Sequence, residues 1–217
     1  MKTPLKNQRN KGTIIEVIGI VASGKTILAK KISEQNRMTY LDIDLHIHNP
    51  FLVASVEDRK RYAFITGLSF SHERSLMIPE VIRSIKENSA ILDQGFDMGL
   101  YTYSANAYKQ KAMIKEEYEF LVKLHKEFMR GAPPIDITIV LDPSIKTTFE
   151  RISKRGRPHE KKYSHDYILG LRTSFHQYIT MLQKSKTRKS IIICSQNHIH
   201  TVGASQKLLV NLIRRCL

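Results

Sequence analysis

One short segment of the chain has the residue types and spacing of a phosphate-binding loop. Gly19 and Gly24 lie five positions apart and are followed directly by Lys25 and Thr26, which fits the pattern G-x-x-x-x-G-K-[ST]. Glycines let a loop wrap closely around an anion, a helix N-terminus directs N–H groups at phosphate oxygens, and a lysine adds a point charge. The pattern predicts that a nucleoside triphosphate binds to Gly19, Ala22, Ser23, Gly24, Lys25 and Thr26.

The sequence on either side supplies the strand and the helix that such a loop needs. Residues 13–18 are rich in β-branched side chains, and a helix-compatible segment runs from Thr26 to Gln35. This strand, loop and helix order is the context in which the motif binds phosphate. We expect the Thr26 hydroxyl to hold a magnesium ion.

Apolar, β-rich segments alternate with longer helical patterns along the rest of the chain. Such alternation predicts an α/β fold with a parallel sheet that is covered by helices on both faces. The predicted strands are 14–18, 38–43, 90–92, 135–141 and 190–194, and the predicted helices are 24–35, 58–71, 75–87, 107–129, 144–154, 166–182 and 203–215.

Four acids fall at the carboxyl ends of predicted strands, where sheets of this kind bind their ligands. Asp93 follows the third strand, where P-loop enzymes place a carboxylate that contacts magnesium or its water shell. Asp42 and Asp44 alternate at the end of the second strand, and one of them is a candidate to accept a proton from an acceptor hydroxyl. Asp142 directly precedes Pro143, so we expect it to start a turn and cap the next helix.

The composition predicts one globular domain with an excess of positive charge. The 217 residues include 41% hydrophobic and 25% charged side chains, which suits a single domain over residues 12–217 after a basic, flexible arm over residues 1–11. The formal net charge is +15, and neither the arm nor the segment after Asp166 contains an acid. We interpret this charge as one that keeps the protein in solution and steers anionic substrates toward it. Docking of nucleic acid is the open alternative.

Other features weigh against whole classes of protein. No apolar run approaches the roughly 18 residues that cross a bilayer, so a cytoplasmic protein without membrane association is expected. The only cysteines, Cys194 and Cys216, are too few for a disulfide framework and are not spaced as metal ligands.

An arginine-rich turn follows the fourth predicted strand and its helix. Arg155 and Arg157 flank Gly156 there. Arginines on a closing segment can neutralise the charge that is dispersed over a transferring phosphoryl group. Together with the upstream loop, this turn predicts a lid over about residues 155–163.

Four groups of residues lie in order within about residues 13–180, and these are 44–52, 57–64 with Arg74, 151–160 and 167–171. Taken together, they resemble the deoxynucleoside kinase family. The resemblance implies a three-layer P-loop kinase fold with a five-stranded parallel sheet, and usually a homodimer. It also implies ATP with magnesium as the donor and a deoxynucleoside 5′-hydroxyl as the acceptor.

The resemblance further implies a role for individual residues. Asp44 stands five residues before Asn49, in the place of the family's catalytic glutamate, and this shorter acid has a shorter reach. Arg151 falls on the arginine that faces the donor adenine, and Glu160 on the glutamate that contacts the sugar. The remaining donor-side matches are Lys25, Asp93, Arg155 and Arg157.

The acceptor side departs from the family pattern. The glutamine that pairs with the nucleobase falls on Gly67, and the tyrosine at the sugar 3′-hydroxyl falls on Val56. The arginine and serine after the third-strand acid fall on Gln94 and Gly95, and Ala22 replaces the loop's middle glycine. A site that loses the polar partners of its substrate loses orders of magnitude in catalytic efficiency toward that substrate. These changes therefore predict another acceptor, a rearranged pocket or weakened catalysis. The expected acceptor contacts are Asp44, Phe64, Gly67, Arg74, Gln94, Tyr103 and Glu160.

The main hypothesis is an ATP- and magnesium-dependent phosphotransferase that acts on a hydroxyl of a nucleoside-like acceptor. A nucleoside monophosphate kinase is the nearer alternative, since Arg59, Lys60, Arg61 and Arg74 are available for an acceptor phosphate. A protein that binds ATP with little or no catalysis and docks nucleic acid through its basic ends is the other alternative.

Overall fold

A computed structural model of the chain describes residues 12–42, 49–185, 187–195 and 198–203. The predictions for residues 1–11, Asp44, Cys216 and the helix over 204–215 lie outside the described residues. The strands are β1 (Ile14–Gly19), β2 (Thr39–Asp42), β3 (Ala90–Asp93), β4 (Ile137–Leu141), β5 (Ser190–Ser195) and β6 (His198–Gly203). The α-helices are α1 (Lys25–Asn36), α2 (Pro50–Glu57), α3 (Arg59–Leu76), α4 (Ile78–Glu87), α5 (Ala105–Lys109), α6 (Lys115–Phe128), α7 (Ile145–Arg155) and α8 (His165–Ser185), with a π-helix at Gly99–Ser104 and a 3₁₀ turn at Glu160–Lys162.

The strands form one sheet in the order β2-β3-β1-β4-β5-β6. Strands β1 to β5 pair in parallel, which confirms the predicted five-stranded parallel sheet. Strand β6 pairs antiparallel to β5, with Gly203 opposite Ser190. The prediction of a helix from about residue 203 is therefore wrong at its first residue, because Gly203 ends strand β6.

The predicted helix over 107–129 is interrupted. Helix α5 ends at Lys109, and Lys111 has a left-handed backbone with φ of 57°. Helix α6 restarts after Ile114, whose N–H donates a hydrogen bond to the Glu117 side chain at 3.0 Å. A left-handed residue and a side-chain cap end one helix and start another, although the apolar pattern runs on across the break.

Side-chain caps determine where helices α2, α3 and α7 begin. Asn49 Oδ1 accepts from the N–H of Phe51 at 3.0 Å and begins α2. Asp58 begins α3 in the same way, and Ser144 Oγ begins α7 by accepting from Thr147 at 3.1 Å. The prediction that Asp142 caps this helix is wrong, because its carboxylate is bound elsewhere.

The Asp142 carboxylate ties the end of β4 to helix α8. It accepts two hydrogen bonds from Arg172, at 2.9 and 3.0 Å, and lies 3.0 Å from Nε2 of His176. Burial alone would raise the Asp142 pKa, but the bonds from His176 and Arg172 outweigh burial and hold this pKa below its ordinary value. Arg172 is thereby engaged within the fold.

Apolar side chains cover both faces of the sheet. On one face, Leu28 and Ile32 of α1 pack against Val17 and its neighbours. On the other face, Phe175 of α8 and Ile85 of α4 lie over the central strands. Each buried Leu, Ile or Phe side chain contributes about 1.5–3 kcal/mol, so these two layers supply the main stabilisation of the sheet.

A carboxylate is buried in the middle of this apolar sheet. Glu16 of β1 has no exposed surface, and its Oε1 accepts from Thr138 Oγ1 at 2.6 Å and from Arg188 at 3.3 Å. Arg188 also lies 3.8 Å from Asp97, which contacts His125 at 3.0 Å. Burial raises the Glu16 pKa, while Arg188 and Thr138 act in the opposite direction. This buried cluster connects β1, β4, α6 and the entry to β5.

Within the described ranges, no helix combines the length and the apolar character needed to cross a membrane. Cys194 is a buried free thiol, and burial raises its pKa to about 11.

We predict that Asp142→Asn lowers the free energy of unfolding by about 1–2 kcal/mol at pH 7, because the charged hydrogen bonds to Arg172 and His176 are lost. The folded-state pKa of Asp142 is depressed, so its stabilisation is present above its unfolded pKa and is lost as pH falls through the folded pKa. Urea unfolding of both proteins at pH 7 and in the acid range measures this. Equal stability at pH 7 would contradict the role assigned to the carboxylate.

Candidate active site

The phosphate-binding loop occupies the turn between β1 and α1. The N–H of Ser23 donates to the carbonyl of Ile20 at 3.2 Å, and Gly24 has a left-handed backbone with φ of 98°. A Cβ at Gly19 would lie 2.6 Å from the carbonyl oxygen of Leu141, so only glycine fits there. The turn is therefore tight, and it leads directly into the first turn of α1, whose N–H groups have no partners within the helix.

Ala22 takes the place of a glycine in this turn at a cost in backbone energy. Its φ is 56°, a left-handed value that costs an L-residue about 1–2 kcal/mol. The guanidinium of Arg151 donates to the carbonyls of Ser23 at 2.8 Å and of Ala22 at 3.5 Å. Arg151 thus ties helix α7 to the loop and stabilises this backbone conformation.

A cavity of about 380 Å³ lies beside the loop. Lys25 and Thr26 line its loop end, and the Lys25 ammonium also donates to the carbonyl of Ile20 at 3.2 Å. Most of the residues predicted from the sequence meet in this cavity. Those in its lining are Ala22, Lys25, Thr26, Gly67, Arg74, Asp93, Gln94, Tyr103, Arg155, Arg157 and Glu160.

Some predicted residues lie outside this lining. The loop backbone includes Gly19, Ser23 and Gly24, and Arg151 donates a hydrogen bond to the carbonyl of Ser23. Phe64 packs with the α6 cluster, with its ring centroid 6.2 Å from that of Phe120. Its contact with a substrate stays a prediction.

Asp93 ends β3 at the cavity with its two carboxylate oxygens in different surroundings. Oδ2 accepts a hydrogen bond from the Tyr40 hydroxyl at 3.0 Å. Oδ1 is buried and has no hydrogen-bond partner among the described residues. A buried carboxylate oxygen without a partner is costly, so this atom is a candidate to face a cation.

The predicted lid begins where α7 ends. Gly156 ends the helix in a left-handed conformation with φ of 74°. Oε1 of Glu160 lies 3.5 Å from Arg155 Nη1 and 3.3 Å from Arg157 Nη1. The Glu160 residue is only 3% exposed, and its Oε2 has no hydrogen-bond partner within the described part of the chain. Both lid arginines therefore rest on one buried carboxylate inside the cavity.

A second contact ties the predicted lid to helix α2. Lys162 in the 3₁₀ turn donates to the Glu57 carboxylate at 2.8 Å, at the end of α2. This ion pair lowers the Glu57 pKa. Because both groups are exposed, the pair stabilises the protein little, but it brings the lid toward α2.

A buried arginine also lines the cavity. Arg74 of α3 is 1% exposed, and its guanidinium carbon lies 5.3 Å from the ring centroid of Phe70. The guanidinium also packs against the backbone of Gly99, where a Cβ would overlap Nη1. The π-helix that begins at Gly99 then places Tyr103 in the cavity lining.

The glycines on the acceptor side do not leave open space. A Cβ at Gly67 would lie 2.6 Å from Ser104 Oγ and 3.0 Å from Leu121 Cδ1. A Cβ at Gly95 would overlap the buried carboxylate of Glu16. The side chains that a sequence comparison finds missing are thus replaced by groups from neighbouring elements.

Sequence reasoning missed several residues of the site. Tyr40 lies two residues before Asp42 on β2, so both lie on one face of the strand. This spacing could have identified Tyr40 from the sequence. Arg59 lies over the Tyr167 ring at 4.2 Å and lines the cavity, where the sequence suggested only a phosphate ligand. Ser104 lies in a π-helix that the apolar pattern did not predict.

Comparison with known proteins gives a consistent picture. The deoxynucleoside kinase family profile matches residues 15–217. A deoxyguanosine kinase of Bacillus subtilis (strain 168) is 21% identical over 184 residues, which are 84% of this chain and 86% of that protein. A deoxyadenosine kinase of Dictyostelium discoideum is 26% identical over 178 residues, covering 77% of this chain and 67% of that protein.

Solved structures show the same fold. Deoxyadenosine kinase from M. mycoides with bound dCTP superposes with a TM-score of 0.75 at 18% identity, over 94% of this chain and 97% of that one. The same enzyme with bound dATP gives a TM-score of 0.74. At this identity the likeness concerns the fold, whereas the family match extends over nearly the whole sequence. The phosphate-binding loop and the five-stranded parallel sheet thus occur together in a chain that belongs to the deoxynucleoside kinase family.

Proposed function

We propose that the protein transfers the γ-phosphate of ATP to the 5′-hydroxyl of a deoxynucleoside. The observation that carries this proposal is that Lys25 and Thr26 of the loop, the lid arginines and Arg74 all line one cavity. Its volume of about 380 Å³ lies within the range of small-molecule sites. A donor phosphate and an acceptor hydroxyl can therefore meet inside it.

On the donor side, the loop backbone and Lys25 bind the phosphates. The N–H groups of the turn and of the first turn of α1 supply directed donors, and the Lys25 ammonium supplies a charge. Arg155 and Arg157 reach the same space from the lid and act on the transferred group. Their positive charges stabilise the negative charge that is spread over the phosphoryl oxygens during transfer.

The residues present suit a magnesium ion. Magnesium prefers oxygen ligands and usually takes one or two carboxylates together with phosphate oxygens. The cavity offers Asp93 Oδ1, a buried oxygen with no hydrogen-bond partner among the described residues, and the hydroxyl of Thr26. When bound, the ion would supply positive charge against the phosphate oxygens.

A carboxylate near the end of β2 is the proposed base. The family resemblance favours Asp44, which lies outside the described residues. Asp42 is the alternative, and it stands opposite Asp93 in the β2–β3 register. Either would accept the proton of the attacking hydroxyl as the bond to phosphorus forms.

The acceptor is proposed to lie between Arg74 and the loop. Gly67, Gln94 and Tyr103 line this part of the cavity, and Glu160 has a buried oxygen available for a sugar hydroxyl. Gln94 has a left-handed backbone with φ of 66°, and its N–H donates to the carbonyl of Val17 at 2.9 Å. The acceptor side is therefore built on fixed backbone positions rather than on the family's side chains.

The described contacts weigh against the two alternatives. A monophosphate kinase needs cations free for a second phosphate, yet Arg59 lies over Tyr167 and donates to Gln110, and Arg74 packs on Gly99. Docking of nucleic acid would use the basic C-terminal part, but Arg188 binds the buried Glu16 and Lys189 lies 2.6 Å from Asp136. The homodimer and the cytoplasmic location implied by the resemblance stay predictions.

The proposed transfer is tested by ADP release from ATP and magnesium across deoxynucleosides, nucleosides, monophosphates and oligonucleotides. We predict turnover with at least one deoxynucleoside, and a loss of about 100-fold or more in kcat for Lys25→Ala, because a donor to the transferred group is removed. Lys31→Ala, on the exposed face of the same helix, is the matched control and keeps wild-type turnover. Turnover of monophosphates alone, or full activity without Lys25, would overturn the proposal.

The lid contacts predict coupling between the two substrates. Donor phosphates compete with Glu160 for Arg155 and Arg157, and this exchange frees the Glu160 carboxylate for the acceptor sugar. Glu160→Gln is expected to raise the acceptor KM by about 10-fold or more, the worth of a charged hydrogen bond, without weakening ATP binding. Steady-state kinetics with both substrates varied measures this.

Glu57→Gln is the control for the lid prediction, since it removes the ion pair with Lys162 and leaves both arginines on Glu160. An unchanged acceptor KM in Glu160→Gln would contradict a role of this carboxylate at the acceptor.

A further inference from the structure

Strand β2 lies at the edge of the sheet and brings a tyrosine to the carboxylate that faces the cavity. In the parallel β2–β3 register, Asp42 stands opposite Asp93 and Tyr40 stands opposite Ile91. Tyr40 and Asp42 share one face of the strand. The Tyr40 side chain reaches along this face, and its hydroxyl donates to Asp93 Oδ2 at 3.0 Å.

This hydrogen bond distinguishes the two oxygens of Asp93. Oδ2 is occupied by the phenol, whereas the buried Oδ1 lacks a hydrogen-bond partner among the described residues. A carboxylate held by one oxygen cannot rotate without breaking that bond. The phenol therefore fixes the direction of the other oxygen, in a residue that lines the same cavity as Thr26.

The surroundings of Tyr40 keep its hydroxyl in the role of a donor. Two carboxylates face this hydroxyl, those of Asp93 and Asp42, and an ionised carboxylate can only accept a hydrogen bond. The ammonium of Lys30 lies 5.5 Å from the ring centroid, a cation–π contact that restrains the ring from the side of α1. The hydroxyl therefore bridges the two carboxylates, and its contact with Asp93 Oδ2 is a hydrogen bond of 3.0 Å.

We propose that Tyr40 is a positioning residue that orients Asp93 to hold the magnesium ion of the donor nucleotide. The inference rests on the proposed function, because it assumes that Asp93 holds this ion. Partners of a metal-binding carboxylate fix its orientation, and their loss typically lowers metal affinity or activity by about 10–100-fold. Tyr40 touches neither substrate in this role and acts only through Asp93.

A merely structural role for the hydroxyl makes a different prediction. Tyr40 lies on an edge strand and is partly exposed, and the buried residue of β2 is Leu41. Removal of the hydroxyl alone would then change stability slightly and leave the magnesium requirement unchanged. The magnesium dependence thus separates positioning from packing.

The test compares Tyr40→Phe with the wild type by isothermal titration of ATP over a range of magnesium concentrations. We expect the magnesium concentration that half-maximally tightens ATP binding to rise about 10-fold, with ATP binding in the absence of magnesium unchanged. In turnover assays, kcat should recover at high magnesium. Tyr118→Phe is the matched control, since this ring stacks on Tyr108 at 5.1 Å outside the cavity lining.

The outcomes separate this inference from the proposed function. If the wild type shows magnesium-dependent ATP binding and acceptor turnover while Tyr40→Phe has the same magnesium requirement, the positioning role is overturned and the proposed function stands. If the wild type itself binds ATP without any magnesium effect, both are overturned. A raised magnesium requirement in Tyr40→Phe but not in Tyr118→Phe supports the inference.

Discussion

The buried ion pair between Glu16 and Arg188 constrains much of the molecule. A carboxylate at the centre of the sheet needs a cation and hydrogen bonds, since an unpaired buried charge costs several kcal/mol, about 3–5 when one partner is removed. Arg188 supplies the charge from the segment before β5, and Thr138 supplies a hydrogen bond from β4. Because Glu16 fills the space beside Gly95, it also fixes how closely the chain passes after β3. The strand that leads into the phosphate-binding loop is thereby tied to the segment that leads from Asp93 into the acceptor side.

The acceptor side is repacked rather than emptied. Three glycines face polar side chains of other elements: Gly95 faces Glu16, Gly67 faces Ser104, and Gly99 faces Arg74. The Glu16 side chain is flexible in itself, but Thr138 and Arg188 hold its carboxylate in place. A larger residue at position 95 could therefore displace this carboxylate only by breaking those bonds. The proposed donor side keeps the expected residue types, whereas the proposed acceptor side combines backbone groups with side chains from neighbouring elements. This difference explains why the family pattern describes one half of the cavity better than the other.

The sequence predicted those features that depend on local chemistry. The loop at Gly19 to Thr26, the five parallel strands and the end of α7 at Gly156 all follow from residue type and spacing within short segments. Features that depend on distant partners could not be predicted. Arg188 looked like part of a basic surface because its partner Glu16 is 172 positions away, and Asp142 looked like a cap because Arg172 lay outside the local pattern. The apolar pattern encodes neither the antiparallel pairing of β6 with β5 nor the left-handed backbone of Lys111 that breaks the predicted helix.

The central claim is that one cavity holds a donor triphosphate and a deoxynucleoside in position for transfer. The most direct measurement is a crystal structure with a non-hydrolysable ATP analogue, magnesium and a deoxynucleoside. We predict that the terminal phosphate lies between Lys25 and the two lid arginines, with Arg155 and Arg157 moved from Glu160 to phosphate. The deoxynucleoside should lie with its base toward Arg74 and its 5′-hydroxyl toward that phosphate. A deoxynucleoside bound outside this cavity, or with its 5′-hydroxyl turned away from the loop, would contradict the account.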